Sequence, residues 1–481
     1  MTCPVPQNIN TDRIFFVNFS ELEGRLEPEF YRPSIASYEK KIRSHSSRKL
    51  KDFALTLAGG ATPPKTESDK YYSDSTNGVP FLRVQNLQTN GELLLDDCVY
   101  INKETHTGLL KRSQVSEGDL LIKITGVGRM AIASVAPAGF VGNTNQHMVV
   151  IKTGNVELSK YLAHYLNLDS IEKIASRHST GGTRPALDYP SLKNLPIIED
   201  LDFSGIDLAL KYKQQKEQEA KDLLASIDDY LLSELGIERP TLARTENGRF
   251  FYTSFKEIEG KRIDPYYNHP YFKKAYNSLH KTPYPVLRLG QLSTLIASGS
   301  TPPSGGEDYT TKENGIMFVR SGDITNDCNI IDSSDMLYIT KECHNTKMRQ
   351  SQLRYGDILI AIVGATIGAV NIYNYNAEAN INQAIALVRL KSGINELFIK
   401  EQLRSSIGRL NLEHQKRPVA RANINLDEIA QMELILPPLE IQDKIAENIQ
   451  SIRDHAKYLQ QEAKEIINNA KQNIEQMILG K

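Results

Sequence analysis

The sequence predicts an α+β protein: two tandem-repeated mixed α/β domains separated by two long antiparallel coiled-coil helices. Three observations carry that expectation. A chain of 481 residues is too long for one ordinary hydrophobic core. Its two halves spell one series of motifs in one order. Each series then ends in apolar residues recurring at three- and four-residue spacing, the signature of a long helix with an apolar seam.

The repeat is read directly from the letters. "FSELEGRLEPEFYRP" at 19–33 returns as "FKEIEGKRIDPYYNHP" at 255–270, and "LTLAGGATPP" at 55–64 as "STLIASGSTPP" at 293–303. "NGVPFLRV" at 77–84 matches "NGIMFVRS" at 314–321, and "YINKE" at 100–104 matches "YITKE" at 338–342. "SQVSEGDLLIKITG" at 113–126 pairs with "SQLRYGDILIAIVG" at 351–364, and "NTNQHMVVIK" at 143–152 with "NINQAIALVRL" at 380–390. The offset stays near 236 to 239 residues, so a unit of roughly 235 residues has been duplicated.

Within each copy, short alternating runs such as "DLLIKIT" and "HMVVIK" read as strands broken by Gly, Asn and Pro turns. An amphipathic stretch follows ("LSKYLAHYLNL", "ELFIKEQLRSSI") and reads as a helix. A polar loop then leads to a closing strand, "NLPII" or "MELILPP". The first long helix is expected from about Asp207 to Leu235, with Gly236 as its stop and a seam of Ala220, Leu224, Ile227, Leu231 and Leu235. The second begins after Pro437-Pro438. Its seam is Ile441, Ile445, Ile449, Ile452, Ala456, Leu459, Ala463, Ile466, Ala470, Ile474 and Met477. Such seams serve either to pair the two helices or to pack each on its own domain; heptads sustained this long favour pairing. The expected domains are 1–200 and 241–437, with spacer helices at 201–240 and 438–481.

Two similar but non-identical modules at the ends of a helical rod form a calliper. At 1.5 Å per residue the first helix is about 45 Å long, slightly more than the roughly 34–36 Å of one B-DNA turn. That length suits two half-sites separated by unread base pairs; it also suits a protein clamp. The first helix is shorter than the second by about ten residues, so the two do not pair along their full lengths.

Composition excludes several classes. The chain is 40% hydrophobic and 24% charged, as soluble globular proteins are. It has no apolar run long enough for a membrane span and no signal peptide at "MTCPVPQNINTDR", so a cytoplasmic location is expected. Cys3, Cys98, Cys328 and Cys343 stand apart, without metal-ligand spacing, and no metal site is expected. A net charge of −1 leaves nucleic acid open as a partner only through local basic patches.

On "SGSTPP" (298–303), "GDILIAIVGATIGAV" (356–370), "NINQAIALVRL" (380–390) and "LPPLEIQDKIAENI" (436–449), the chain closely resembles the specificity subunit of type I restriction–modification systems. The first copy carries weaker versions: "GGATPP", "GDLLIKITGVGRMAIASV" and "NTNQHMVVIK". The resemblance implies two target-recognition domains, each reading half of a split double-stranded DNA sequence, and helices that dock two modification subunits. It implies no chemistry in this chain. S-adenosylmethionine, ATP and magnesium are expected in the modification and motor-nuclease partners. In keeping with this, the sequence has no phosphate-cradling Gly-x-x-x-x-Gly-Lys loop. "DPYYN" at 264–268 lacks the second proline of an amino-methyltransferase motif and reads as a turn, like its counterpart "EPEFY". The other reading is a protein-binding scaffold that kept the fold without sequence-specific DNA reading.

Residues shared by the copies are expected to build the fold or grip phosphate, and differing loop residues to read bases. Arg83 and Arg320 follow matching strand ends and suit either a phosphate or a carboxylate. Arg184 and Arg421 lie in matching loops made basic by Arg177, Lys416 and Arg417. The shared Asn145-Gln146 and Asn382-Gln383 have the chemistry to read adenine but, being shared, read as scaffold. Among differing residues, Lys123 and Arg129 face Thr366 in the aligned loop, and Gln85 and Asn86 face Gly322 and Asp323; these two loops are the candidates for base readout. On the helices, Leu224, Ile227, Leu231, Ile445, Ile452, Leu459 and Ile466 are the candidate partner-binding seam.

Overall fold

A computed structural model describes residues 10, 12–46, 48–239, 251–258, 262–324, 336–364, 366–415 and 423–480. The chain divides into two compact units, one of Met1–Glu217 with Gln460–Lys481, the other of Gln218–Leu459. Both boundaries fall inside the two long helices, Ser204–Glu234 and Leu439–Leu479.

The first unit is built on an antiparallel sheet in the order Thr56–Gly59, Met148–Lys152, Leu120–Lys123, Ala133–Val135. Its two central strands, Leu120–Lys123 and Met148–Lys152, are buried on both faces, and the period-two rule sorts their side chains. Leu120, Ile122, Val149 and Ile151 face a core shared with the helices Val156–Leu166 and Asp169–His178. Leu121, Met148 and Val150 face the other way, toward Leu82, Val115 and Phe140. The second layer is a five-stranded sheet in the order Tyr72–Ser73, Val99–Ile101, Val79–Leu82, Val141–Thr144, Gln114–Ser116. The closing strand Pro196–Ile197 pairs back with Arg48–Lys49.

The second unit reproduces this register. Ser293–Ser298, Ile385–Leu390, Ile358–Ala361 and Val370–Ile372 form the corresponding sheet. Glu433–Ile435 closes on Val286–Arg288. Again the strand faces alternate: Ile358, Ile360, Ala386 and Val388 face one core, Leu359, Ile385 and Leu387 another. The "EPEFY" stretch is a short 3-10 turn at Pro28–Tyr31, and in "DPYYN" the Asp264 carboxylate accepts the Tyr267 amide at 2.9 Å.

The first long helix starts three residues earlier than the periodicity suggests, because Asp202 accepts the Ser204 amide at 2.8 Å. It stops as expected. Gly236 takes φ +68°, and Gly236 and Ile237 donate to Ser233 and Leu232, the two bonds of a Schellman ending. The helices differ in length by ten residues, 31 against 41. Among the described residues, no helix is long and apolar enough to cross a membrane.

The seam residues are consumed by the chain itself. In the second unit Ala220 packs with Ala456 and Leu459, and Ile227 and Leu231 join a core containing Ile445 and Ile449, with Leu224 and Ile452 packed against it. In the first unit Ile474 and Ile478 close the main core, with Ala470 beside them. The expectation that the seam lies open to a partner is therefore corrected: intramolecular packing covers it. Its register also drifts near the C-terminus. Ile467, not Ile466, is the buried residue, and Ile478 is 3% exposed while Met477 is 64% exposed. A helix of 3.6 residues per turn slips steadily against a 3.5-residue pattern, which produces this one-residue shift. Ile478→Ala is expected to cost about 2 kcal/mol in denaturant unfolding, and Met477→Ala under about 0.5 kcal/mol; equal costs would refute the register.

Candidate nucleic-acid interface

The sheet register brings the repeated motifs to one end of each unit. In the first, the strands meet there at Met148 opposite Lys123 and Val149 opposite Gly59. Beyond these residues lie the loop 60–64, the loop 124–131 and the turn 145–147. Gly60 is required by packing: a Cβ there would lie 2.1 Å from the Thr144 carbonyl oxygen. That approach brings Thr62 to donate to Gln146. In the second unit Gly299 makes the same approach to the Ile381 carbonyl, and Thr301 donates to Gln383.

The Asn-x-Asn-Gln phrase is thus scaffold. Asn143 is buried, its oxygen 2.5 Å from His106 Nδ1 and its amide donating to Leu110 O at 2.8 Å; Asn380 repeats this with His344 and Met348. Asn145 and Asn382 accept from the amides of His147 and Ala384 at 3.1 and 3.2 Å, bracing the turn. The sequence did not signal the threonine partners Thr62 and Thr301 beyond the shared "TPP".

A fourth segment joins the same end. The amides of Gly126 and Leu187 donate to Pro185 O and Ile124 O at 3.0 and 2.8 Å, so loop 179–186 lies alongside loop 124–131. Thr180 and Ala186 exchange both backbone bonds at 2.8 Å, closing loop 179–186 as a small hairpin. Arg184 stands exposed in it, without a side-chain partner among the described residues. Arg25 anchors its base by donating to Ser179 O at 3.0 Å, a bond that nothing in the sequence signalled. The second unit repeats the seam through Ile362, which donates to Ala384 O and accepts from Ile424 at 3.1 Å. Lys416, Arg417 and Arg421 lie outside the described residues.

Several candidates are spent internally. Lys123 is buried and donates to Val127 O at 2.8 Å, holding its own loop; burial pushes its pKa below the ordinary lysine range. Arg129 reaches the Asp169 carboxylate and donates to Asn167 O at 2.6 Å. Arg177 turns inward, pairing with Glu39 and stacking over Phe30 at 4.2 Å. Asn86 is 1% exposed, accepting the Arg83 amide at 2.7 Å and donating to Leu94 O at 2.8 Å. Asp323 is 8% exposed and holds the Arg320 amide and guanidinium at 2.8 to 3.1 Å. The Asn86/Asp323 difference is therefore two ways of bracing one turn, which corrects the expectation that it reads bases. Arg83 follows the strand that ends beside Asn145, and donates to Asp97 O at 3.2 Å. Gln85 is exposed on that turn, and Thr366 is half-buried in loop 362–369.

The first unit therefore presents one end where four motif loops converge, braced by buried polar contacts, and the described residues of the second unit repeat the contacts of the Gly299, Ile362 and Asn382 segments. Comparison with known proteins gives this doubled arrangement a family. Residues 45–198 and 282–470 match the Type I restriction modification DNA specificity domain. The EcoBI specificity subunit of Escherichia coli is 30% identical over 173 residues, 35% of each chain, so the match spans about a third of that relative. A structure titled for complex assembly and conformational transition of the type I R-M system has 18% identity and a TM-score of 0.46, covering 90% of this chain and 96% of that one. The HsdS subunit from Thermoanaerobacter tengcongensis has 16% identity and a TM-score of 0.37, with coverage of 90% and 95%. Because the family match extends over well over half of the residues and falls on both copies, the chain belongs to the type I restriction modification DNA specificity family.

Proposed function

We propose that the chain is the non-catalytic, DNA-sequence-recognition subunit of a type I restriction–modification complex. Each copy, at 1–200 and 241–437, reads one half of a bipartite asymmetric target in double-stranded DNA. The observation that carries this reading is the twofold family match, which falls on both copies of the repeat. The helices at 201–240 and 438–481 pair as an antiparallel coiled coil that sets the spacer. Within the second unit Tyr230 meets Asn448 and Glu234 meets Lys444, rising numbers against falling ones, which supports that pairing. Two modification subunits dock on the helices' outer faces, where Tyr458 and Met477 are exposed, and restriction motor-nuclease subunits join through them. S-adenosylmethionine, ATP and magnesium belong to those partners in this reading, and the complex works in the cytoplasm.

For DNA contact we favour the exposed Arg184 and Gln85 in the first copy, and the half-buried Thr366 in the second. Arg421, Lys416 and Arg417 are carried forward as their counterparts by sequence. Selection from random duplexes, using the chain with its methyltransferase partner, is expected to enrich a split asymmetric sequence. Indifference to sequence would favour the scaffold reading instead. Replacing Arg184 and Arg421 together by alanine is expected to weaken target and random duplex alike. The plot of log K against log salt should become shallower by roughly one for each phosphate no longer neutralised.

A further inference from the structure

A cavity of about 720 Å³ opens in the second unit between the edge strand Ser293–Ser298 and the segment 344–354. Its lining includes Ser298, whose neighbour Gly299 makes the close approach to Ile381 described above. The volume falls in the range of ligand sites, and its charges are unusual. Arg389 lines it but is neutralised by Asp357, at 2.8 and 2.6 Å. Arg349 and Arg354 also line it, and among the described residues neither side chain has a partner. The opposing carboxylate in the lining is Glu378, exposed and 3.8 Å from His344 Nε2. Two free guanidinium groups against one carboxylate leave a single positive charge.

We propose that this cavity is a phosphodiester subsite, gripping a backbone phosphate of the DNA beside the half-site read by the second copy. The inference rests on the DNA-recognition reading above. A phosphodiester carries one negative charge, which matches the residual charge of the lining, and guanidinium groups bind phosphate oxygens in paired hydrogen bonds. The first copy keeps a cation at one aligned position, Lys111 for Arg349, and departs at the others. Ser116 stands for Arg354. Tyr189 stands for Leu426 and lays its hydroxyl where a Cβ on Gly59 would be 1.9 Å away. The pair of guanidinium groups is thus a property of the second copy, and it makes the grip on DNA asymmetric.

The test uses the full chain with its methyltransferase partner, comparing wild type with Arg349→Ala/Arg354→Ala and with Arg354→Ser, the residue of the first copy. Both arginines are exposed, so an unchanged thermal midpoint checks that the fold is intact. The double variant is expected to bind target and random duplexes at least about tenfold more weakly, with the salt slope shallower by about one and the selected sequence unchanged. A separate arm titrates inorganic phosphate into the chain. Phosphate binding that the double variant abolishes, together with wild-type DNA affinity, would assign the cavity to a free anion and overturn the proposal. So would wild-type affinity and slope with no phosphate binding. A wild-type complex that fails to bind any duplex overturns the DNA reading itself and the subsite with it.

Discussion

Glu39→Ala is expected to destabilise the first unit by about 3–5 kcal/mol, the usual cost of stripping one partner from a buried ion pair. Glu39 sits on the helix Pro33–His45 with its carboxylate almost wholly enclosed. It pairs with Arg177, contacts His178 Nε2 at 2.9 Å and takes Arg43 at 2.6 Å. Removing it strands the Arg177 guanidinium over Phe30 with no counter-charge. The same cluster sets an acid limit. Burial alone would raise the Glu39 pKa, but His178 and Arg43 outweigh it and hold it at about 2, against an ordinary 4.5. A carboxylate depressed in the folded state contributes stability that is fully present above its unfolded pKa and lost as pH falls through the folded one. The loss therefore runs from about 4.5 down to about 2 and amounts to at most about 3 kcal/mol. Denaturant unfolding at several pH values checks this: the wild-type curve should fall across that window, and the Glu39→Ala curve should lack this component. Parallel curves would refute the assignment.

That cluster also explains why the fold was more legible in the letters than the interface. Duplication, alternating strands and helical seams are patterns of burial, and burial is what a period of 2 or 3.6 reports. The strands around Leu120–Lys123 and Ile358–Ala361, and the helix ending at Gly236, were all readable in this way. Whether a given arginine meets solvent or a carboxylate is a different question, because the answer lies far away in the chain. Arg177 looked like part of a basic loop, yet its partner Glu39 is 138 residues distant. Asn86 and Asp323 looked like a difference in code because only their types were visible, not the Arg83 and Arg320 amides they cap. Arg349 and Arg354 drew no notice for the converse reason: a cavity leaves no periodic trace.

Glu401→Gln is expected to destabilise the second unit by a similar 3–5 kcal/mol, and here the excess charge makes the pH behaviour diagnostic. Glu401 lies on the helix Glu396–Arg404 at 4% exposure, with Lys400 at 3.1 Å, Arg404 at 3.7 Å and Arg453 at 2.6 Å. Arg453 belongs to the C-terminal helix, so this carboxylate ties that helix to the sheet-covering helix beside it. Burial would raise the Glu401 pKa, yet Lys400 and Arg453 hold it below the ordinary carboxylate range, so it is ionised at neutral pH. Burial pushes Lys400 down from its ordinary 10.5, and Glu401 opposes that push. Without Glu401, Lys400 can relieve the charge excess by releasing its proton, whereas the arginines cannot. The deficit of Glu401→Gln relative to wild type should therefore shrink as pH rises toward the ordinary lysine range. Adding Lys400→Met to Glu401→Gln should recover part of the lost stability and flatten that pH dependence. A deficit that grows with pH, or a double variant less stable than Glu401→Gln alone, would show that Lys400 is not the group that carries the uncompensated charge.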